Sequence, residues 1–405
     1  MAGPLCNYAA MINTTLRHRT ITFGAAGLLA SALLAAGPLA AAPAAADTTE
    51  ARLLGYRDLD RGLKVDSTTV GGLSGIDRDP RTGEYLMISD DRSTVGPARY
   101  YTADIDVRAS GVEDVKITSA TELTKPDGGA YPSYKQSIDS PCTGPQRACD
   151  RDGAVDPEEL RVDPVTKKVW WSTEGTNKSP TVLNPALRAS SKGRTVQELP
   201  LPRDFRFDRA ERRGPRGNLS LEAFAFTDKG KRIVTALEGP MIQDGPAPTP
   251  EKGALTRISE HTRSGEIAAQ YAYPLDPVFA APKDQPYMDN GVPAILPVDD
   301  KGRYLVLERA YSDGNGYRIR IYEVDTAKAQ DVRRIDSLAT EPPTRPLRKE
   351  LVADLGQMGV DPVYNAEGMT WGPRLPNGDR TLVMVVDDNF SAEEKSQVIA
   401  LTVSS

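Results

Sequence analysis

Along most of this chain the apolar positions come in short alternating runs bounded by clusters of Gly, Pro, Asp and Asn. The stretch Tyr317-Arg-Ile-Arg-Ile-Tyr-Glu-Val-Asp325 is representative. Its period of two marks a half-buried strand, not a helix face. The pattern also repeats at longer range: a motif with a polar or acidic residue, then a turn, then an apolar strand ending in acid, five times over. The copies open at Gly71-Gly-Leu-Ser-Gly-Ile-Asp77, Asp156-Pro-Glu-Glu-Leu-Arg-Val-Asp163, Asn218-Leu-Ser-Leu-Glu-Ala-Phe-Ala-Phe226, Gly291-Val-Pro-Ala-Ile-Leu296 and Asn365-Ala-Glu-Gly-Met-Thr-Trp371. Their second segments run 85–91, 169–174, 233–239, 304–309 and 381–388.

Hairpin-like strand pairs fill the space between copies, so each repeat supplies about four strands. The markers Glu159, Glu222, Ile295 and Glu367 are 63, 73 and 72 residues apart, whereas Ser74 and Glu159 are separated by 85. The excess falls in the Pro- and Gly-rich stretch 125–152, which reads as a long surface loop. Sheets repeated radially need no covering helices and leave only short edges, so the pattern predicts an all-β fold, a β-propeller. Five visible blades plus one closed by the two ends of the domain give an expectation of six. No linker divides residues 47–405, which read as one propeller domain.

The first 46 residues break the pattern. They contain no Asp or Glu, and Arg17-His18-Arg19 precedes an Ala-rich apolar run that is interrupted at Gly37-Pro38 and ends in Ala44-Ala45-Ala46. That order predicts a secretory signal peptide over 1–46, with Met11 as a second possible start, and an extracellular protein. A membrane span is not expected, because the run is broken by Pro38 and followed by no stop-transfer charges. Loss of Arg17 and Arg19 shifts the net charge from −6 to −8. Nucleic acid and anionic membranes are therefore poor partners, and a monomer is expected. Cys142 and Cys149, bound for an oxidising compartment, are expected to form a disulfide that pins the 125–152 loop.

Histidine chemistry is nearly excluded. From Asp47 onward the sequence has one histidine, His261, within the polar stretch Ser259-Glu-His-Thr-Arg-Ser-Gly265, which reads as a solvated turn. Gly72-Leu-Ser-Gly75 falls one residue short of a nucleophile elbow. Carboxylates are the opposite case. Equivalent repeat positions end in Asp90-Asp91, Glu174, Glu238, Glu308 and Asp387-Asp388 or begin with Glu159, Glu222 and Glu367, and a propeller brings equivalent positions together around its axis. Acids that close must share protons or hold cations. Hard oxygen donors at irregular spacing suit calcium, which can bind a phosphate and polarise water.

The segment Asp150-Arg-Asp-Gly-Ala-Val-Asp-Pro-Glu-Glu-Leu160 follows the later half of an EF-hand loop, with Asp150, Asp152, Gly153, Asp156 and Glu159 in register. Ala148 stands at the first ligand position, however, and no entering helix fits the flank, so an acidic turn is the better reading. Arg92, Lys178, Arg216 and Arg309 sit beside repeat motifs as candidate anchors for an anion, and Trp170, Trp171 and Trp371 read as packing residues.

The order of Gly71–Asp77, Glu158-Glu159-Leu, Leu221-Glu222-Ala-Phe, Glu238-Gly-Pro, Glu308-Arg309 and Asn365-Ala-Glu-Gly-Met369 resembles the phytase-like family known as "esterase-like activity of phytase". The resemblance spans nearly all of residues 47–405, and it implies a propeller-like fold with hydrolysis of phosphate or carboxyl esters. The expectation is thus a secreted ester hydrolase acting on a small-molecule ester or phosphate ester. Glu159, Glu222, Glu367 and Arg309 are its candidate catalytic residues, and Asp90, Asp91, Glu174, Glu238, Glu308, Asp387 and Asp388 its candidate calcium ligands. The alternative is a non-catalytic secreted propeller that binds a ligand or protein, because no complete catalytic motif is present.

Overall fold

The computed structural model describes residues 49–404 apart from 179 and 211. The expected signal peptide and its cleavage point lie outside the described residues. Five four-stranded antiparallel sheets make up the blades, and a two-stranded hairpin, Lys64–Val65 with Thr68–Thr69, precedes the first of them. Blade 1 is Leu73–Arg78, Tyr85–Ser89, Arg99–Arg108 and Gly111–Glu122. Blade 2 is Pro157–Val162, Val169–Thr173, Ala186–Ser191 and Arg194–Leu199. Blade 3 is Leu221–Thr227, Arg232–Leu237, Ala254–Thr262 and Ile267–Leu275. Blade 4 is Met288–Pro297, Arg303–Ser312, Gly316–Asp325 and Lys349–Asp354. Blade 5 takes Asn365–Arg374, Arg380–Asp387 and Gln397–Ser404 from one end of the domain and Glu50–Asp58 from the other.

The first strand of each blade packs against the first strands of its two neighbours, and blade 5 returns to blade 1, so the ring is closed. These first strands, with the second strands, are the five repeats of the sequence. Six blades were expected and five are present, because residues 50–58 pair with 397–404 as the outer strand of blade 5 and do not start a blade of their own.

Each junction between neighbouring blades holds one apolar cluster. Strand alternation feeds both sides of a blade: Leu382, Met384 and Val386 face blade 4, while Val383 and Val385 face blade 1. Trp170 and Trp171 divide in the same way between blades 3 and 1, and both are buried. Trp371 is half-buried and donates from Nε1 to the Pro297 carbonyl at 2.8 Å. All three therefore pack, as their place in strands suggests.

The 125–152 stretch lies between blades 1 and 2 and carries two short helices, Tyr134–Asp139 and Gln146–Asp152. Ser133 and Gln136 form a reciprocal capping box at the start of the first. The second is clamped by the Cys142–Cys149 disulfide. Closing so short a loop removes about 2 to 3 kcal/mol of unfolded-chain entropy. The double variant Cys142→Ser, Cys149→Ser is therefore expected to lose roughly that much stability in urea titration. Thiol titration of unreduced, unfolded protein starting at Asp47 should find no free sulfhydryl. No helix among the described residues is long and apolar enough to cross a membrane.

Candidate functional site

Every innermost strand is interrupted at the same place. Pairing with the second strand slips between Leu73 and Gly75, Pro157 and Leu160, Leu221 and Ala223, Gly291 and Ala294, and Ala366 and Gly368. The residues left over are Ser74, Glu158 with Glu159, Glu222, Val292 with Pro293, and Glu367. A bulge re-aims a side chain that regular pleating would send elsewhere. Here it brings repeat carboxylates into one group at one end of the axis, where the second strands also terminate.

Nine carboxylates gather there: Asp90, Asp156, Glu158, Glu174, Glu222, Glu238, Asp289, Glu367 and Asp387, drawn from all five blades. All except the half-buried Asp90 are buried. Arg309 Nη2 lies 2.8 Å from Glu238 and 3.6 Å from Glu367, and its Nη1 lies 3.0 Å from Asp289. Arg92 Nε lies 2.7 Å from Asp156, and its Nη2 lies 3.9 Å from Glu174. Ser74 donates to Glu158 at 3.1 Å, and Asn365 Nδ2 donates to Glu367 at 2.9 Å and Asp387 at 3.1 Å. At the rim, Tyr134 stands between the cations of Arg92 and Lys178, 5.7 and 5.9 Å from its ring centre.

Two guanidiniums cannot neutralise nine acids. Burial pushes Asp90, Glu158, Glu174, Glu222 and Asp387 well above the usual carboxylate range, and their neighbours' negative charge pushes them further. Glu238 is raised from its ordinary 4.5 to about 8, because desolvation outweighs the nearby Arg309, which Asp289 and Glu367 share.

Deeper along the same axis lies a second charged element, about three residues or roughly 10 Å further down the innermost strand of blade 2. The Arg161 guanidinium donates to Glu159 at 2.6 Å and to the carbonyls of Ile76, Phe224, Met369 and Ile295 at 2.6, 3.1, 3.1 and 3.4 Å. Those carbonyls come from the innermost strands of the four other blades. Arg161 thus plugs the channel and floors the acidic pocket. Close approach of the strands at this level explains two motif glycines: a Cβ on Gly75 would meet Glu159 Oε1 at 2.6 Å, and one on Gly368 would meet the Ser74 carbonyl at 2.6 Å.

Of the residues expected in the site, Glu222, Glu367, Arg309, Asp90, Glu174, Glu238 and Asp387 come together. Four do not. Glu159 belongs to the Arg161 plug, because the bulge turns Glu158 into the pocket in its place. Asp91 accepts from Arg99 at 2.7 Å and from the amides of Thr94, Val95 and Gly96, organising its own loop. Glu308, one residue from Arg309 and so on the opposite face, binds Tyr273, Asn290 and Lys349. Asp388 stays half-buried at the rim, accepting from the Gly72 and Phe390 amides at 2.9 and 3.2 Å. Arg216 is tied to the carbonyls of Pro240 and Gly245.

Sequence reasoning missed Asp156, Glu158 and Asp289. Asp156 and Glu158 flank Pro157 inside a recognised motif, and Asp289 precedes the fourth motif by two residues. His261 is a correction as well: it is fully buried in a blade 3 strand, 2.9 Å from Thr235 Oγ1, and burial lowers its pKa to about 4. Asp150 and Asp152 lie in the Gln146–Asp152 helix, where Asp150 accepts from Gln146 and Asn184, so the acidic-turn reading gives way to a helix end.

A hard cation fits one side of the pocket. Asp156, Glu158 and Glu174 each offer an oxygen within 4.8 Å of the others. Asp156 Oδ1 is buried without a hydrogen-bond partner. A set made only of carboxylate oxygens suits calcium or magnesium and not zinc.

No curated protein matches the chain in sequence. Solved structures with similar folds include a thermostable family-43 glycoside hydrolase, at 13% identity and TM-score 0.41 over 85% of this chain and 92% of its own. The Dos1 propeller is 7% identical with TM-score 0.30, covering 82% and 68%. A putative 6-phosphogluconolactonase from Bacteroides uniformis is 11% identical with TM-score 0.34, covering 80% and 82%. The phytase-like family described as esterase-like activity of phytase matches residues 68–390. With that match spanning four of the five blades completely and the inner strands of the fifth, the chain belongs to the phytase-like family.

Proposed function

We propose that the protein is an exported hydrolase of phosphate or other esters, working in the axial acidic pocket with calcium. The observation that carries this reading is the convergence of nine carboxylates, eight of them buried, and two arginines, from all five blades, above a channel closed by Arg161. Asp156, Glu158 and Glu174 would hold the metal. Bound there, calcium supplies an electrophile for an ester or phosphoryl oxygen and for water.

The remaining groups divide the work. Glu222 and Glu367, both raised above the ordinary carboxylate range chiefly by burial, hold protons that free glutamates would release and so can serve as general acids and bases. Arg92 and Lys178 at the rim and Arg309 inside orient a negatively charged substrate. With Arg161 closing the axis below, substrate and product would enter and leave at the end that carries Arg92 and Lys178. Turnover is tested on a phosphomonoester, phytate and a short-chain carboxyl ester, with calcium or chelator. Hydrolysis that calcium restores is expected, and Glu222→Gln is expected to lower kcat about 100-fold or more. Absence of turnover on all three with calcium retained would overturn the ester-hydrolase reading and favour the non-catalytic binder.

A further inference from the structure

The outer edge of blade 2 carries a cleft of about 700 Å³ that the axial pocket does not use. Its wall is the strand Arg194–Leu199, three strands and so about 14 Å from the innermost strand that bears Glu158. Opposite stands the helix Gln146–Asp152, clamped by the disulfide, with Arg147 and Arg151 one turn apart on the lining face. Pro126, Pro145 and the 42% exposed Val196 supply apolar wall.

The charge of this cleft runs against that of the protein. Arg147, Arg151, Arg188 and Arg194 line it with Glu198 as the one acid of the lining, while the domain from Asp47 onward carries −8. Arg151 is paired with Asp152. Among the described residues, Arg147 and Arg194 have no hydrogen-bond or ion-pair partner for their side chains. Arg188 is only 1% exposed, stacks near Trp171 and Tyr131, and donates to Glu198 and the Asp150 carbonyl, yet its Nη1 is buried with no partner. A buried guanidinium donor left unsatisfied at the floor of a basic cleft points to an anionic ligand.

The wall strand sharpens the class. It is the outermost strand of its sheet, and past the Thr124 contact at its start no other strand covers it among the described residues. An uncovered edge pairs with an extended backbone. We propose that this cleft binds an extended acidic peptide segment, which adds a strand alongside Arg194–Leu199 and sets its carboxylates against Arg147, Arg194 and Arg188.

The test uses the whole protein and a fluorescein-labelled decapeptide of alternating Glu and Thr, read by anisotropy. Saturable binding is expected, with a Kd weakened about tenfold or more in the Arg147→Ala, Arg194→Ala double variant, both exposed positions that leave the melting temperature unchanged. The same peptide with alternate amides N-methylated keeps its charge and should also bind about tenfold more weakly. Equal binding of the methylated peptide, equal binding of a Gln-Thr analogue, or indifference to the double variant would each overturn the proposal. So would displacement by oligogalacturonate at lower concentration than by the unlabelled peptide, which would assign the cleft to an acidic glycan.

Discussion

Replacing Arg161 by methionine is expected to cost about 3 to 5 kcal/mol of folding stability, the penalty for removing one partner of a buried pair. Two losses combine. Glu159, whose pKa burial already raises to about 8 with Arg161 beside it, is left without its cation. The carbonyls of Ile76, Phe224, Met369 and Ile295 lose their shared donor at a level where all five innermost strands meet. Arg161→Lys keeps the charge but not the planar fork, so it should fall between methionine and wild type. Adding Glu159→Leu to Arg161→Met should recover part of the loss, because the stranded carboxyl goes with it. Urea unfolding midpoints read all three, and an Arg161→Met protein as stable as wild type would remove the plug from any account of the fold.

Calcium is expected to stabilise the protein most at high pH. The pocket acids have folded pKa values above their unfolded ones, so the native state holds protons that the unfolded chain has released. Their contribution is complete below about 4.5 and is lost as pH rises through the folded values, about 8 for Glu238. A cation replaces those protons where they have been lost. At pH 8, calcium at one hundred times its dissociation constant should add about 2.7 kcal/mol, or roughly 3 to 4 °C in melting temperature. At pH 5 protons compete for the same oxygens, whose pKa values burial raises, and the gain should shrink. Glu158→Gln should reduce the gain at pH 8, whereas Glu393→Gln, at an exposed position outside the repeats, should not. Scanning calorimetry with calcium and with chelator decides the matter; a melting temperature indifferent to both at pH 8 would end the metal reading.

The repeat architecture is legible because two constraints coincide in the sequence: strands alternate in hydrophobicity, and each innermost strand needs its polar residue at the same height. The acids that end second strands, such as Glu174, Glu238 and Asp387, follow from that rule. A bulge does not. Whether Glu158 or Glu159 enters the pocket depends on where the pairing of Pro157–Val162 slips, and two adjacent glutamates look alike in sequence. Blade 4 escapes for a related reason, since its slipped residues are Val292 and Pro293 and its carboxylate comes from Asp289, earlier in the strand. His261 misleads because the polar residues around it are satisfied inside the sheet: Ser259 accepts from Gln270 at 2.8 Å, and the imidazole meets Thr235 and the Gly265 carbonyl. Polar sequence reads as solvent-facing unless the partners are known.

The strand Glu50–Asp58 pairs with Gln397–Ser404, Glu50 lying opposite Ser404. A chain made from its amino end therefore emerges with this strand lacking its mate until residues 397–404 have appeared. Until then blade 5 lacks its two outer strands, although its innermost strand can already meet that of blade 1. That delay makes folding slow, since the closing contact spans almost the whole chain.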